Sequence, residues 1–439
     1  MVSTTRRSRG VLALATAAVF VVGVSACSSN SSSSSTSGGS GAKSSGHFTY
    51  WSMWRADEPQ GKVIKAAVDA FTASTGVKVD LQFTGRDVRT KIGPAIAANQ
   101  APDLWDQGSD VIYGQTASAG QALDLTPVLG MQVPGEGKTV GDVVPAKYLS
   151  ALPKDPNGVQ NYVIPYIVDS AELFYNATDP DVQAAMTTPP TTWDDFIKIC
   201  DTLKAKGKPC LASEGEDAWT NGLEFDYQLN AQGVNFADLT NDKTGAAWDN
   251  PAVLKAAQET EQLVKGGYIV PGYDATKSPA QETAWAGGKD AFWMTGSWAT
   301  SETGKEVAST WKYGAMLPPG VTAPDSMTFG FSIPKKAKNA TAAEQFIAYF
   351  LQKQNMANLA STSDSITVRS DVPAPADLTD VQKALDANTV RLTYDGQAGS
   401  VMDKAFSPNF LDLWHGKITA EQFVAKTKAA QISYWKTQG

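Results

Sequence analysis

The chain has 439 residues, 42% hydrophobic and 19% charged, a balance that excludes a disordered or collagen-like chain and permits a large buried core. Its 37 Lys and Arg against 45 Asp and Glu give a formal charge of −8, which excludes nucleic acid as an expected partner, because phosphate backbones are held by extended clusters of cations. Three cysteines and two histidines cannot build several Cys/His metal sites, so neither a metal nor a cofactor is expected.

The first residues read as an address. Arg6, Arg7 and Arg9 precede the apolar run Val11 to Val24, which is shorter than the ~20 residues a spanning helix needs and fits the apolar core of an export signal. The run ends in Val24-Ser25-Ala26-Cys27, which resembles the lipobox of bacterial lipoproteins. That resemblance implies a signal peptide over residues 1–26 and acylation of Cys27, palmitate included, on the outer face of the cell membrane. The residues that follow, to Gly46, are almost wholly Ser, Gly, Thr and Asn, so residues 27–46 read as a flexible tether.

From His47 the pattern becomes that of a packed domain. Phe48-Thr49-Tyr50-Trp51 predicts a strand. Lys62 to Ser74 carries Val63, Ala67 and Phe71 on one helical stripe, with Gly76 as a stop. Val77 to Phe83 alternates strictly, as a half-buried strand does; Val88 to Asn99 predicts a second helix, and Leu104-Trp105 a third strand. The order β-α-β-α-β requires parallel strands, hence an α/β layer architecture. Tyr162 to Val168 and Ala171 to Asn176 predict two further strands. Thr192 caps a helix running to about Lys206, with Asp195 at capping-box spacing. Phe329 to Pro334 predicts a strand and Ala342 to Leu359 one long helix with Phe346, Ile347, Phe350 and Leu351 on its apolar side.

Across the body of the chain these segments resemble the extracellular solute-binding proteins of ABC importers, in particular the maltose-binding-like group. The matching motifs run in order: Trp51-Ser52-Met53-Trp54, Ala101-Pro102-Asp103, Leu123-Asp124-Leu125, Tyr162 to Tyr166 with Phe174-Tyr175-Asn176, Thr192 to Phe196, Gly288 to Trp298, and Gly330 to Pro334. The resemblance implies a two-lobed periplasmic-binding-protein-like fold with hinge segments and a ligand cleft between the lobes. The expected lobes are 47–168 plus 331–361 and 169–330 plus 362–439, with hinges near Val168-Asp169, Phe329-Gly330 and Ser361 to Ser363. It further implies a monomer that captures a sugar or oligosaccharide, passes it to the permease of an ABC importer, touches the membrane only through its lipid and is not an enzyme. By the same resemblance the ligand groups are Trp54, Arg55 and Glu58 after the first strand, Asp106 and Gln107 after the third, Trp219, Asp226 and Trp293, the turn Gly296-Ser297-Trp298, and Arg369.

Tryptophan carries the chemical side of this reading, because indole packs on the C–H faces of a sugar while neighbouring polar groups meet its hydroxyls. Of the 12 tryptophans, Trp193, Trp248, Trp311 and Trp435 read as core, and Trp54, Trp219, Trp293 and Trp298 as ligand candidates. A non-sugar solute of the same fold class (a peptide, polyamine or compatible solute) is the alternative, since an acidic, aromatic cleft also suits a cation. Catalysis finds little footing. Gly135 to Thr139 contains the tail of a phosphate loop, but Gln132 stands where its first glycine belongs and Met131 to Pro134 makes no convincing strand. No G-x-S-x-G elbow exists, His47 and His415 read as structural or exposed, and only an unmarked carboxylate pair would serve a carbohydrate hydrolase. Cys200 and Cys210, in an exported body, are expected to form a disulfide clipping a helix end to the next strand.

Overall fold

A computed structural model describes residues 46–216, 218–387, 389–392 and 401–438, which fall in one unit, Lys43–Gly439. The expected leader, Cys27 and the tether lie outside the described residues. The alternating segment before Phe83 pairs as the β-α-β-α-β pattern requires. β1 (His47–Ser52) lies parallel to β2 (Lys78–Phe83) on one side and to β3 (Leu104–Gly108) on the other. The first crossover helix, Pro59–Thr75, starts with a proline, whose missing N–H costs nothing there. It ends at Gly76, whose left-handed backbone (φ 80°) lets its N–H donate to Thr72. Its stripe of Ile64, Val68 and Phe71 is buried. The second crossover helix is Val88–Ala97.

The remaining strands are β4 (Gln132–Val133), β5 (Lys138–Thr139), β6 (Ile164–Asp169), β7 (Ala171–Asn176), β8 (Leu211–Ala212), β9 (Phe292–Gly296), β10 (Tyr313–Met316), β11 (Asp325–Ser332) and β12 (Arg391–Leu392). The first sheet runs β12-β11-β3-β1-β2, with β6 also paired to β11; the second runs β10-β7-β9-β8. β4 and β5 form a separate hairpin, so Met131 to Pro134 does enter a short strand. The turn between them is no phosphate cradle, since Lys138 pairs with Asp371 at 3.1 Å.

The chain changes sheet between β6 and β7, at Ser170. The second change lies between Met316 and Asp325, earlier than the Phe329-Gly330 position expected from sequence, because β11 pairs with β3 and β6 along Phe329 to Phe331. Ser361 to Ser363 is not a crossing either. The helix Lys353–Ser363 packs on Pro59–Thr75, and beyond it Val168 N–H donates to Ile366 and Val368 N–H to Tyr166, so the chain is still laced to β6. The helix Thr379–Ala387 then touches β10 of the second sheet. Arg391–Leu392 still pairs with β11 of the first sheet, whereas Met402, Phe406 and Phe410 belong to the second sheet's core.

Two local expectations are also revised. The long helix over Ala342 to Leu359 is two helices, Ala340–Phe350 and Lys353–Ser363. The break is held by tertiary partners, with Arg369 donating to the Leu351 carbonyl at 2.7 Å and Lys353 N–H to Glu136. Thr192 caps the helix Trp193–Ala205 by accepting from Asp195 N–H, but Asp195 answers the Thr192 hydroxyl at 2.7 Å rather than a backbone amide.

A disulfide joins Cys200, inside that helix, to Cys210, which leads into β8, with 5.0 Å between the Cα atoms. Replacing both cysteines by serine is expected to cost about 3 kcal/mol in denaturant unfolding by the loop-entropy argument. Thiol labelling of the denatured, unreduced protein is expected to find neither cysteine free; two reactive thiols would show that the bridge does not form.

Candidate functional site

The parallel strands β1 and β3 end side by side, and there the chain must stop donating to the sheet and turn. Asp106, the third residue of β3, governs that turn. Its fully buried carboxylate accepts from Met53 N–H (2.7 Å), Tyr166 OH (2.7 Å), Tyr50 OH (3.0 Å) and Ser52 Oγ (3.3 Å). Tyr166 of β6 in turn accepts from the Trp54 indole N–H at 2.8 Å. The Trp54 ring lies 5.6 Å from Phe329, with the Arg86 guanidinium 4.8 Å above it. Glu58 pairs at 2.8 Å with Arg86, in the turn after β2, and at 3.3 Å with Arg55, so one carboxylate ties together two exposed cations from the loops after β1 and β2.

On the second sheet the site forms where β9 ends against the first change of sheet. Ser297 N–H donates to the Ser170 carbonyl at 2.9 Å, and its hydroxyl donates to Asp169 at 2.6 Å. A Cβ on Gly296 would lie 2.0 Å from the Trp298 ring, so only glycine lets the indole fold back over the strand end. Trp298 opens the short helix Ala299–Thr303 and faces Trp219, at the start of the helix Ala218–Ala231, with ring centroids 5.7 Å apart. Both indoles are half-buried.

The structure therefore gathers Gly296, Ser297, Trp298 and Trp219 into one cluster, and Trp54, Arg55, Glu58, Asp106 and Gln107 into another. Not all of them face a ligand. Asp106 has its acceptor positions filled by four protein donors, and Gln107, buried, accepts from Gly108 N–H. Trp293 is buried against Trp285 at 5.3 Å and belongs to the core. Asp226 is fully buried and paired with Arg391 at 2.7 Å, and Arg391 also meets Asp325 at 2.6 Å. That cluster joins the second sheet's helix to the base of β11, a structural clasp rather than a ligand contact. Arg369, 1% exposed, directs its donors to Asp371 (2.8 Å), Glu136 (2.8 Å) and the Leu351 carbonyl, pinning the β4-β5 hairpin. Sequence reasoning missed Tyr166, Phe329, Arg86 and Asp169. Only Asp169 carried a signal, its place at the end of a predicted strand where the chain changes sheet.

A family model for bacterial extracellular solute-binding proteins matches residues 66–386. The chain belongs to this family of bacterial extracellular solute-binding proteins. It is 25% identical over 305 residues to a diacetylchitobiose binding protein of Streptomyces coelicolor, covering 66% of this chain and 63% of that one. It is 24% identical over 209 residues to a multiple sugar-binding protein of Streptococcus mutans, covering 44% and 48% respectively. The matches thus span between about half and just under two thirds of those relatives. A chitin oligosaccharide binding protein of known structure superposes with a TM-score of 0.70 at 20% identity, covering 90% of this chain and all of the other, which establishes the two-lobed fold. Members of this family are exported binding proteins, and among the described residues no helix is long and apolar enough to cross a membrane.

In this solute-binding protein several buried carboxyls of the strands and of the helices beside them are shifted upward. Burial pushes Asp106 and Asp169 to about 6 and Glu172 and Glu224 to about 8. Loss of solvent and the charges of Glu282, Asp169 and Glu214 push Glu302, one turn after Trp298, to about 7. Unfolded carboxyls titrate near pH ~4, so between that value and about 8 the folded state holds protons the unfolded state has released. The contribution of these groups is therefore full below pH ~4 and is lost as pH rises through their folded values. Asp371 acts oppositely: hydrogen bonds from Arg369 hold it well below the usual range, and its contribution is lost in acid. The melting temperature is expected to be highest near pH ~5 and to fall toward pH ~8, and Glu224→Gln is expected to flatten that fall. Thermal unfolding across this range checks it; a melting temperature that rises from pH ~5 to ~8 contradicts the assignment.

Proposed function

We propose that the protein captures a carbohydrate in the cleft between its lobes and delivers it to the membrane subunits of an ABC importer, as a monomeric binding protein without catalytic activity. The observation that carries this reading is the half-buried Trp219–Trp298 pair beside Asp169, at the point where the chain changes sheet. Indole faces receive the apolar side of a pyranose while Asp169, Arg55 and Arg86 are placed to meet hydroxyls. Family membership and the sugar-binding relatives support the same reading. Diacetylchitobiose, named for the Streptomyces coelicolor relative, is the first ligand to try. A second reading, an amine-bearing solute, draws on the crowding of Glu214, Glu282 and Glu302 near the same tryptophans. Ligand that bridges both lobes shifts the molecule toward a closed form only by binding that form better.

Calorimetric titration with chito- and other oligosaccharides, paired with small-angle scattering, tests the proposal. Trp298→Ala is expected to weaken binding about 10- to 100-fold, equivalent to roughly 1–3 kcal/mol, and to leave the fold intact. Trp54→Ala is expected instead to destabilise the protein by about 3–5 kcal/mol, since that indole is packed and hydrogen-bonded. Full affinity in Trp298→Ala, or no oligosaccharide binding at all, overturns the site or the ligand class respectively.

We further propose that acylation of Cys27 anchors the protein to the outer face of the cell membrane. The wild type is expected in the membrane fraction and Cys27→Ser in the medium; a wild type wholly in the medium contradicts the anchor.

A further inference from the structure

A cavity of about 520 Å³ lies at the opposite end of the first sheet from Trp54, where β1 begins and the chain enters β3. Its floor is Thr49 and Trp51 of β1. Its walls are His47, the end of the helix Val88–Ala97 with Asn99 and Gln100, and the segment Pro334 to Asn339. That volume suits a small organic ligand, and the lining combines a half-buried indole with several amides.

The charge of this lining runs against that of the whole chain. Lys335, Lys336 and Lys338 stand within four residues of one another, all exposed, and none of the three ammonium groups is paired with a carboxylate among the described residues. The acid in the lining is Asp103, and it faces inward. Its Oδ1 accepts from the backbone N–H groups of Lys338 and Asn339 at 2.9 Å each. Its Oδ2 accepts from Thr49 N–H (3.0 Å), Thr49 Oγ1 (3.2 Å) and Asn339 Nδ2 (3.1 Å). Although burial raises it, the bonds from Thr49 and Asn339 hold Asp103 below the usual carboxylate range, so the cradle stays ionised and rigid. Asp155, which feels the charge of Lys335, is likewise occupied by the amides of Asn157 and Val159. Asp103 thus ties the lysine segment to β1 by the backbone and leaves the lysine side chains free. In a protein of net charge −8, three unpaired cations fixed around a cavity make a local sink for anions.

We propose that this cavity is a second ligand site, separate from the interlobe cleft, and that it takes a phosphorylated polyol: phosphate against the three lysines, the carbon face on Trp51, hydroxyls on the amides. The phosphate is carried either by a soluble sugar or glycerol phosphate or by the headgroup of an anionic lipid.

The test uses the full chain and its Lys335→Gln/Lys336→Gln/Lys338→Gln variant. The substituted side chains are exposed, and equal melting temperatures confirm that both proteins are folded. Calorimetric titration with glucose 6-phosphate, glycerol 3-phosphate and glucose is run beside flotation with vesicles of phosphatidylcholine, with and without phosphatidylglycerol. A leader or lipid at the N-terminus would act alike in both proteins, so the difference between them reads the cavity. Saturable binding of a soluble phosphate, weakened about tenfold or more in the variant and absent with glucose, supports the site with a soluble ligand. Phosphatidylglycerol-dependent flotation that the variant loses supports it with a lipid headgroup. Absence of binding to every phosphate probe, or binding that the variant retains in full, overturns it.

Discussion

The hydrogen bonds converging on the Asp106 carboxylate are the constraint on which the carboxyl end of the first sheet depends. One buried anion gathers donors from β1, from the loop after it and from β6, and through Tyr166 it fixes Trp54 as well. A carboxylate without such partners would be expelled from the core, and the hydroxyls of Tyr50 and Tyr166 would be unsatisfied without it. Burial raises Asp106 while the four donors oppose that rise, the balance expected of a buried acid used for positioning. The loop that carries Arg55, Glu58 and the Arg86 contact is consequently presented from a rigid base, although its charged ends are in water.

The second lobe solves the same problem with a smaller device. Ser297 bonds to Ser170 and Asp169, so the strand end that presents Trp298 is stitched to the segment where the chain passes from one sheet to the other. Helices and loops outside the site are held by charged clasps of a different kind. Arg391 is clasped between the buried Asp226 and Asp325, and the buried Arg369 between Asp371 and Glu136. Loss of Arg391 would be costly, because the fully buried Asp226 and Asp325 would be left without a countercharge. Residue type does not distinguish such arginines and aspartates from ligand-binding ones; both uses need a charged group inside the protein.

The two ends of the first sheet are put to different ends. At the carboxyl ends, acids and indoles gather near the changes of sheet, where α/β folds place ligands. At the amino ends, Asp103 organises a basic cavity around Trp51. Asp103 and Asp106 are three residues apart, one before β3 and one within it, and each builds one end of the sheet by accepting bonds from β1.

By itself the sequence determined the class of fold and its local elements. Strict alternation in Val77 to Phe83, the stripe of Val63, Ala67 and Phe71, and the stop at Gly76 are short-range patterns, and β1 to β3 with their helices follow from them. The turn Gly296-Ser297-Trp298 stands out in the sequence only through the family resemblance; the close approach of the Trp298 ring to Gly296 belongs to the tertiary structure. Only the tertiary structure decided where the chain changes sheet after Met316, why the helix after Ala340 breaks at Leu351 and Gln352, and which charged residues face inward. Those outcomes depend on partners far along the chain: β11 is placed by β3 and β6, the helix break by Arg369 and Glu136, and Asp226 by Arg391. Local propensity carries no record of such partners, because burial and pairing arise only when distant segments meet.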